Sequence, residues 1–461
     1  MSEPKETNPP QLPGKRACSP ASIDAGESPE LGVEEAVRLG MRWAWVEPAA
    51  WSTRMLAALD NGVKGGKWYC LMDKVMKPAN LLAAFGRVEA NGGAAGVDRV
   101  SVKAYGKRLD GEIDHLAGQL KAGTYRPQAV RRVYIPKPGS REKRPLGIPT
   151  VRDRVVQGAL RQVLEPVFER DFGEHSYGFR PRRGCKDALR RVDSLLKDGA
   201  TWVVDADIKG YFDSIPHERL MAQLRAKVTD RSALGLVELF LKQDIFDGVK
   251  QWSAEEGTPQ GAVLSPLLAN IYLDPLDHVM AEQAFEMTRY ADDFVVQCRT
   301  QAEAQRALET IRMRTEAAGL RLHPDKTRIV DATQKGGFDF LGYHFERGYR
   351  WPRKKSEAKL KDAIRSRTKR TSGQCLKAII ETLNPKIRGW FEYFKHSHRT
   401  TFPGLDGWIR GRLRTILRKR HKRKGRARGL DHQRYPNAYF AQFGLFSLEQ
   451  AHAMACQSAR R

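Results

Sequence analysis

Two adjacent carboxylates, Asp292 and Asp293, lie between two short apolar segments of the chain. Neighbouring carboxylates repel each other, and a tight turn near a core holds them together only where cations compensate their charge. A divalent metal is the natural compensation, because Mg²⁺ prefers carboxylate and phosphate oxygens. Aspartate is also a common turn former, so this pair alone is weak evidence for a metal site.

A third carboxylate strengthens the metal hypothesis. Asp207 lies near the end of a predicted strand, residues 202–208, so carboxylates from two strands can converge on one pair of ions. Two Mg²⁺ ions about 4 Å apart clamp the attacking and leaving oxygens of an in-line phosphoryl displacement. Asp205 and Asp207 are two positions apart, so their side chains lie on the same face of the predicted strand, and spacing alone does not decide which of them is the metal ligand.

The segments that must position these carboxylates alternate between strand and helix. Predicted strands cover residues 202–208, 287–290 and 294–298, and the last two form a hairpin through the paired aspartates. Ser265 is predicted to cap a helix that has Pro266 at its first position, and Thr300 with Glu303 is predicted to start another. This order predicts an α+β fold in which an antiparallel sheet carries helices on one face.

The C-terminal third is predicted to be helical. Apolar side chains recur at i, i+3, i+4 and i+7 over residues 376–383 and again over 387–394. Asn384-Pro385 is predicted to end the first of these helices and cap the second. A third apolar stripe covers residues 405–417. Each stripe needs a partner, so these helices are predicted to pack as a bundle.

The charge of the chain indicates a polyanionic partner. Lys and Arg number 80 against 54 Asp and Glu, which leaves a net charge of +26. Nine cations fall in residues 126–154, which are predicted to form short strands, and eleven fall in residues 410–428, which hold no acid. The six cysteines include no C-x-x-C pair, and no signal pattern or membrane-length apolar run is present. We therefore expect a cytoplasmic protein without a membrane partner, associated with the nucleoid when bound to DNA.

The motifs around these residues resemble the palm of reverse transcriptases. Tyr290-Ala-Asp-Asp293 and Asp207-Ile-Lys-Gly-Tyr-Phe-Asp213 carry this likeness. Further motifs follow in the order seen in group II intron-encoded proteins: Arg144-Pro-Leu-Gly-Ile-Pro149, Ser176-Tyr-Gly-Phe-Arg-Pro181, Gln260-Gly-Ala-Val-Leu-Ser-Pro266 and Phe340-Leu-Gly-Tyr343. Arg388-Gly-Trp-Phe-Glu-Tyr-Phe394, followed by the basic segment, looks like their maturase-specific region.

The resemblance implies roles for the carboxylates and their neighbours. Asp207 and Asp292 are implied as the Mg²⁺ ligands, assisted by the Ile208 carbonyl, while Asp293 supports the site. Phe212 is implied as the bulky residue under the deoxyribose, where it would clash with a ribose 2′-OH and so select dNTPs.

Further residues are implied to hold the nucleotide. Lys137 and Arg144 match cations that bind the incoming triphosphate, with Lys143 as a substitute for Lys137. Gln260 is implied to touch the nucleotide or the templating base pair. Lys326 matches the position proposed to protonate the leaving pyrophosphate, although an exposed strand lysine is an equally good interpretation.

Other positions are implied to contact nucleic acid. Gly342 matches the primer grip, where a glycine lets the backbone approach a primer phosphate. Basic residues predicted to face RNA are Arg180, Arg182 and Arg183 beside the template and Arg414, Arg418 and Arg420 in the basic segment. Structured RNA is recognised by shape, phosphate and stacking, which suits a helical bundle with one cationic face.

The architecture implied is a right-hand polymerase followed by a helical thumb and maturase region. Its predicted divisions are a disordered tail (1–40), an N-terminal extension (41–125), fingers (126–200), a palm (201–350) and the thumb/maturase region with the basic C-terminal segment (351–461). Group II proteins often end in a zinc-stabilised HNH endonuclease. With no cysteine pairs after the maturase-like region, no such domain is expected, and the primer would come from another source.

The leading functional hypothesis is an RNA-directed DNA polymerase of the group II intron type. It would use two Mg²⁺ ions and dNTPs, bind its intron RNA, assist splicing as a maturase and copy the RNA into DNA from a primer on target DNA for retrohoming. One alternative is a non-enzymatic maturase, against which the complete aspartate set argues. Another is a retron or defence reverse transcriptase, which the maturase-like region disfavours. The sequence leaves the oligomeric state open, with a homodimer as one option.

Overall fold

The computed structural model describes residues 33–136, 143–253 and 255–458 of the 461. The chain divides into two compact units, Met1–Ala44 and Trp45–Arg461. In the first unit, helix α1 covers Val33–Arg42, so residues 33–40 of the predicted disordered tail are helical. Leu39 and Trp43, four positions apart, are buried, and this helical spacing accounts for the difference. The rest of the predicted tail lies outside the described residues.

The second unit begins with helices and then forms a small sheet. Its first helices are α2 (Thr53–Asn61), α3 (Met72–Val75), α4 (Pro78–Asn91), α5 (Val102–Gly106) and α6 (Leu109–Ala122). Strands β1 (Val130–Pro136) and β2 (Lys143–Ile148) pair antiparallel, which confirms the short strands predicted in the basic segment 126–154. Helices α7 (Val151–Glu169) and α8 (Cys185–Lys197) follow, and α7 packs on α4.

A four-stranded antiparallel sheet lies at the centre of the second unit. Its elements and those that join them are β3 (Trp202–Asp207), α9 (His217–Lys227), α10 (Arg231–Leu241), β4 (Ile245–Phe246), β5 (Gln251–Trp252), α11 (Ser265–Glu282), β6 (Glu286–Tyr290), β7 (Asp293–Cys298), α12 (Gln301–Ala317) and β8 (Arg328–Asp331). The central strand order is β6-β7-β3-β8, and β4 and β5 extend the first sheet in the order β2-β1-β4-β5. The predicted strands and hairpin of this region are confirmed.

Both faces of the central sheet are covered, so the prediction of helices on one face is wrong. Val203 and Val295 pack in one cluster with side chains of α8, and Gln297 on the same face donates to the Val192 carbonyl of α8 at 3.0 Å. Val204 and Phe294, which alternate to the opposite face, are also fully buried. Helix α12 contacts β3 and β7, and helix α11 contacts β6. Strands buried on both faces have near-continuous apolar runs, and the run over residues 294–296 agrees with this burial.

Helices α11 and α12 begin where the sequence predicts, but the role of Ser265 at the start of α11 differs from the prediction. Ser265 is the first helical residue rather than the cap, and its hydroxyl donates to the Pro259 carbonyl at 2.9 Å. At α12 the Thr300 hydroxyl accepts from the Glu303 amide at 3.1 Å, while the Glu303 carboxylate accepts from the Arg299 amide at 2.9 Å. Side-chain capping therefore fixes the start of α12.

The C-terminal part joins a small sheet to a helical bundle. Its elements are β9 (Phe338–Phe340), β10 (Tyr343–Glu346), β11 (Tyr349–Pro352), α13 (Lys354–Arg367), α14 (Leu376–Phe394), α15 (Thr401–Arg420), α16 (Leu430–Arg434), α17 (Asn437–Gln442) and α18 (Leu448–Ser458). The predicted apolar stripes form one buried cluster, which confirms the bundle. Among the described helices, none is long and apolar enough to cross a membrane.

Helix α14 continues through Asn384-Pro385, so the predicted break between two helices is wrong. A proline inside a helix removes one backbone hydrogen bond and usually bends or breaks it. Here Leu383 and Ile387, on either side of the proline, are both fully buried in the bundle core. The Asn384 side chain bonds outward instead of capping, donating to the Gly444 carbonyl and accepting from the Phe446 amide. Tertiary packing therefore outweighs the local signal.

Candidate active site

The three predicted site carboxylates meet at one end of the central sheet. Asp207 ends β3 and pairs directly with Asp293, the first residue of β7. Residues directly opposite in antiparallel strands have Cα atoms about 4.5–5.5 Å apart. Asp292 occupies the two-residue turn between the paired Tyr290 and Asp293. The first position of this turn, Ala291, has a φ of +60°.

These carboxylates repel one another in a partly buried setting. Burial, and then the charges of Asp205, Asp292 and Asp207, raise the pKa of Asp293 to about 7. Burial and the charge of Asp207 also raise the pKa of Asp292, while the nearby Arg144 guanidinium opposes that rise. A cation bound here would offset both the burial and the mutual repulsion of these carboxylates, so the arrangement favours binding of a cation.

Asp205 and Asp207, which spacing alone does not separate, have different surroundings. Asp205 lies two residues further from the turn, opposite Val295, and its carboxylate faces the Arg328 guanidinium at 3.4 Å. Burial raises the pKa of Asp205 to about 6 in spite of that arginine. Asp207 lies beside the turn and accepts from the Lys326 amine at 2.6 Å. Asp207 is therefore the better placed of the two to share a cation with Asp292.

The donor set fits Mg²⁺ only as a site completed by substrate. Among the described residues, no group of three or more His, Cys, Asp or Glu side chains is arranged to hold a metal by itself. Mg²⁺ commonly keeps waters and is bound through one or two carboxylates plus substrate phosphates. Asp207 and Asp292 provide two such carboxylates. Ile208 follows Asp207 directly and is bridged to Leu322, so its predicted carbonyl ligand lies at the same strand end.

A buried arginine that the sequence analysis missed holds the aspartate turn in place. Arg289 is fully buried and its guanidinium forms a two-pronged ion pair with Asp277 of α11, with one N–O distance of 2.7 Å. It also donates to the Asn270 side chain and to the Ala291 carbonyl, both at 3.0 Å. Helix α11 thus fixes the turn that carries Asp292. An arginine inside an otherwise apolar predicted strand was the signal for this network.

A close backbone contact supports the same turn from behind. A Cβ atom at Gly178 would lie 2.3 Å from the Ala291 nitrogen, so only glycine permits this approach. The Gly178 carbonyl accepts from the Asn270 side chain at 2.8 Å. The Ser176–Pro181 motif therefore packs against the aspartate turn.

Of the three arginines predicted beside the template, Arg180 is buried, so its prediction is corrected. Arg180 pairs with Glu169 at 2.8 Å and donates to the Gly173 and Ser176 carbonyls. With its donors satisfied inside the protein, it stabilises the loop after α7. Arg183 is half-buried, donates to the Glu174 carbonyl and lies over the Tyr177 ring. Arg182 is exposed.

Hydrogen bonds of the predicted nucleotide-binding residue Gln260 connect strand β2 of the first sheet to the segment that follows β3. Gln260 donates to the Asp213 carboxylate at 3.0 Å, and its carbonyl accepts from the Gly147 amide at 2.6 Å. Phe212 is half-buried and packs edge-on against Tyr211 at 5.5 Å between ring centroids. Arg144 is exposed on β2, and its charge opposes the rise in the pKa of Asp292. Lys137 lies outside the described residues, and Lys143 is exposed at the start of β2.

The predicted primer-grip turn is attached to the C-terminal helices. Leu341 and Gly342 both have positive φ, 45° and 85°, which is typical of a tight hairpin turn and favours glycine. The Gly342 carbonyl accepts from the Ser356 hydroxyl of α13 at 3.1 Å. The Tyr393 hydroxyl of α14 donates to the Leu341 carbonyl at 2.7 Å, and the Tyr343 hydroxyl donates to the Tyr393 carbonyl at 2.6 Å. Tyr393 is thus a positioning residue that the sequence analysis did not identify.

Arg414 is buried in the bundle, which corrects its predicted role in RNA binding. It donates to the Tyr435 carbonyl and the Asn437 side chain, both at 2.8 Å, and lies over the Phe440 ring. Arg418 is mostly buried and pairs with Asp431 at 2.6 Å. Arg420 is exposed and donates to the Gln374 carbonyl. The exposed cations of this segment are Lys419, Arg420, Lys422, Arg423, Lys424, Arg426 and Arg428.

Replacing Asp293 by asparagine should stabilise the metal-free protein at alkaline pH. The folded state raises this pKa from 3.8 to about 7, so folding stability falls as the pH rises between these values and stays low above them. At about 1.4 kcal/mol per pH unit, the penalty at pH 8 is on the order of 2–4 kcal/mol. Thermal unfolding in EDTA should show a higher Tm for Asp293→Asn at pH 8 and a shrinking difference towards pH 4. A pH-independent difference, or one shared by the exposed Asp362→Asn, would contradict this origin.

Comparison with known families defines the class of protein. Residues 135–345 match the family described as reverse transcriptase (RNA-dependent DNA polymerase). Residues 357–435 match the maturase-specific domain of group II introns. The first match contains the aspartate turn and the end of β3, and the second covers most of the helical bundle. The mixed α+β fold with its C-terminal helical region is that of a reverse transcriptase followed by a maturase domain.

Individual relatives agree with both matches. Protein YkfC of Escherichia coli is 36% identical over 291 residues, which are 55% of this chain and 76% of YkfC. The group II intron-encoded protein LtrA of Lactococcus lactis is 43% identical over 178 residues, 39% of this chain and 30% of LtrA. The chain belongs to the group II intron reverse transcriptase/maturase family. Because the alignment spans less than a third of LtrA, it identifies shared domains rather than a shared overall activity.

Proposed function

We propose that this protein is an RNA-directed DNA polymerase that extends a primer 3′-OH with dNTPs along an RNA template. The observation that carries the proposal is the meeting of Asp207, Asp292 and Asp293 at one end of the central sheet, within the residues that match the reverse transcriptase family. Burial, followed by the charges of neighbouring carboxylates, raises the pKa values of Asp292 and Asp293, and a divalent cation would offset both effects.

In the proposed reaction the primer 3′-OH loses its proton to solvent, its oxygen attacks the α-phosphorus to form a new P–O bond, and the bond to pyrophosphate breaks. Two Mg²⁺ ions, when bound, would neutralise charge on the attacking and leaving oxygens. Asp207 and Asp292 would hold them from two strands, with the Ile208 carbonyl as a further ligand. Asp293 would keep the negative charge of the site high without binding substrate.

Other side chains would position the nucleotide. Arg144 would bind the triphosphate, since a planar guanidinium suits bidentate phosphate contact. Gln260 and Phe212, joined through Asp213 and the Thr258 amide, would line the base and sugar. Lys326 would leave Asp207 and donate a proton to pyrophosphate, which is feasible because its side chain is more than half exposed.

We further propose that the protein binds a group II intron RNA, assists its splicing and copies it into DNA for retrohoming. The maturase-domain match over residues 357–435 supports RNA binding, and seven exposed cations lie within residues 419–428. A maturase contributes positioning and charge neutralisation, while the RNA performs the splicing chemistry.

Primer extension tests the polymerase proposal. Purified protein, an RNA template, an annealed DNA primer, dNTPs and Mg²⁺ should yield cDNA, and Asp292→Ala/Asp293→Ala should yield none. If the wild-type protein makes no cDNA while splicing of the intron RNA still requires it, the protein is a non-enzymatic maturase. If it makes cDNA while splicing is independent of it, the maturase proposal fails.

Neutralising the exposed cations should weaken RNA binding and flatten its salt dependence. We expect Lys422→Gln/Arg423→Gln/Lys424→Gln to lower the slope of log affinity against log salt by about 2–3, at roughly 0.7–0.9 per lost phosphate contact. Filter binding of intron RNA across a salt series measures this slope. Arg414→Gln serves as the comparison, because this buried arginine should change Tm and leave the slope unaltered. Equal slopes for the triple variant and the wild type would exclude this segment as the RNA surface.

A further inference from the structure

A cavity of about 430 Å³ lies between strand β11 and helices α13 and α15. Its volume falls in the range of about 300–1,000 Å³ that is typical of small-ligand sites. Trp351 of β11 and Trp408 of α15 both line it, and both indoles are half-buried. None of the motifs that carry the proposed polymerase reaction includes the residues that line this cavity. The cavity therefore needs an explanation of its own.

Two basic side chains lie beside the aromatic wall of this cavity. The Lys361 amine lies 5.8 Å from the Trp408 ring centroid, and the Arg365 guanidinium carbon lies 5.5 Å from it. Helix α13, which carries both cations, holds six basic and two acidic residues. Aromatic faces beside cations bind nucleic-acid strands, because every base has a π-face and every nucleotide carries a phosphate.

The Thr401 hydroxyl lacks a hydrogen-bond partner among the described residues, which favours a polar ligand for this cavity. Thr401 lines the cavity, and its buried Oγ1 has no hydrogen-bond partner among the described residues. Buried polar groups are rarely left unpaired, because the lost hydrogen bond costs about 1–3 kcal/mol. Glu357, also at the cavity, pairs with Lys361, and Asp362 pairs with Arg365 at 2.5 Å, so a phosphate bound here would take the place of these carboxylates beside the two cations. The edge of a nucleobase offers both donors and acceptors that can satisfy such a group.

We propose that this cavity binds one unstacked nucleotide of a single-stranded nucleic acid. The base lies against Trp351 and Trp408, its edge bonds to the Thr401 hydroxyl once that side chain rotates towards the cavity, and its phosphate faces Lys361 and Arg365. The site would hold an unpaired base of a strand bound to the helical bundle, away from the aspartates. It deepens the proposed function by naming single-stranded nucleic acid as a ligand of the maturase region.

Closing the cavity without removing any of its polar or aromatic groups gives the sharpest test. A Cβ atom at Gly404, which lines the cavity, would meet no atom within 4 Å, so Gly404→Leu should fill the space without a backbone clash. Gly407→Leu is the matched control, because Gly407 lies in the same helix, is equally free of neighbours and does not line the cavity. Both changes favour the helix, as leucine has the higher helix propensity.

Fluorescence of short oligonucleotides measures the binding. Ten-nucleotide single strands of RNA and of DNA, each with one 2-aminopurine, should be quenched by wild-type protein and by Gly407→Leu. We expect Gly404→Leu to lose the quenching and to bind roughly 5- to 150-fold more weakly, the range for one stacked base. Trp408→Phe, which keeps an aromatic face, should retain most of the affinity. Which of the two strands binds more tightly identifies the nucleic acid.

Unchanged affinity and quenching in Gly404→Leu would overturn the proposal, as would tighter binding of a duplex of the same length. Asp292→Asn protein should bind and quench like the wild type, because the cavity does not use the aspartates. If the wild type makes no cDNA but Gly404→Leu loses quenching, the polymerase proposal fails and the cavity proposal stands. If cDNA is made but quenching never depends on Gly404, the reverse holds.

Discussion

Asp292→Asn should abolish cDNA synthesis while leaving the protein folded and able to bind RNA. Asparagine keeps the shape of the side chain and removes the charge that the proposed site needs for Mg²⁺. We expect single-turnover primer extension to slow by at least about 10³-fold, equivalent to ~4 kcal/mol of transition-state stabilisation. The fold should not suffer, because this carboxylate already repels Asp207 and has a raised pKa.

Asp207→Asn should produce the same loss, and Asp205→Asn provides the matched control. Asp205 lies on the same strand and the same sheet face as Asp207, and its carboxylate forms an ion pair with Arg328. If Asp205 has no role as a ligand, its replacement should slow primer extension less than about tenfold. Equal losses at both positions would assign ligand roles to both carboxylates. Loss at Asp205 alone would contradict the proposed ligand set.

Removing Arg289 should damage both stability and activity. Arg289→Met would leave the Asp277 carboxylate buried without its partner, and breaking a buried ion pair in this way costs about 3–5 kcal/mol. It would also remove the donor to the Ala291 carbonyl at 3.0 Å, so the turn with Asp292 would lose its anchor. Urea unfolding should show the stability loss, and primer extension should fall below what the folded fraction accounts for.

Two comparisons separate these effects. The exposed ion pair between Arg190 and Asp187 offers a surface control, and Arg190→Met should cost no more than about 0.5 kcal/mol. The double variant Arg289→Met/Asp277→Leu removes both buried charges, so it should regain much of the stability. If it also regained full polymerase activity, Arg289 would have no positioning role at the turn.

The parts of the site that local patterns can specify were predictable from the sequence. The aspartate hairpin, the strand ending at Asp207 and the two helix starts depend on alternation, turn residues and capping, which act within a few positions. The apolar stripes of the bundle are of the same kind. Motif order added the resemblance to a known family, which spacing alone does not provide.

Tertiary partners explain what could not be predicted. Arg180 and Arg414 resemble surface cations in sequence, and only the folded chain brings Glu169 to one and the Tyr435 carbonyl to the other. Pro385 resembles a helix end, yet packing of the bundle core carries the helix through it. The hydrogen bond between Tyr393 and the turn at Leu341 joins residues 52 positions apart in the chain, so patterns within a few neighbouring residues cannot predict it.

Metal-directed cleavage of the protein tests the central claim most directly. With template, a dideoxy-terminated primer and dNTP bound to complete the site, Fe²⁺ can replace Mg²⁺ and, with ascorbate and peroxide, generates radicals that cut the backbone near the bound ion. We predict cuts close to Asp207 and close to the Asp292–Asp293 pair, suppressed by excess Mg²⁺ and absent from Asp207→Asn/Asp292→Asn. Cuts confined to other segments, or cuts at these two that survive the double substitution, would contradict a metal site built by these carboxylates.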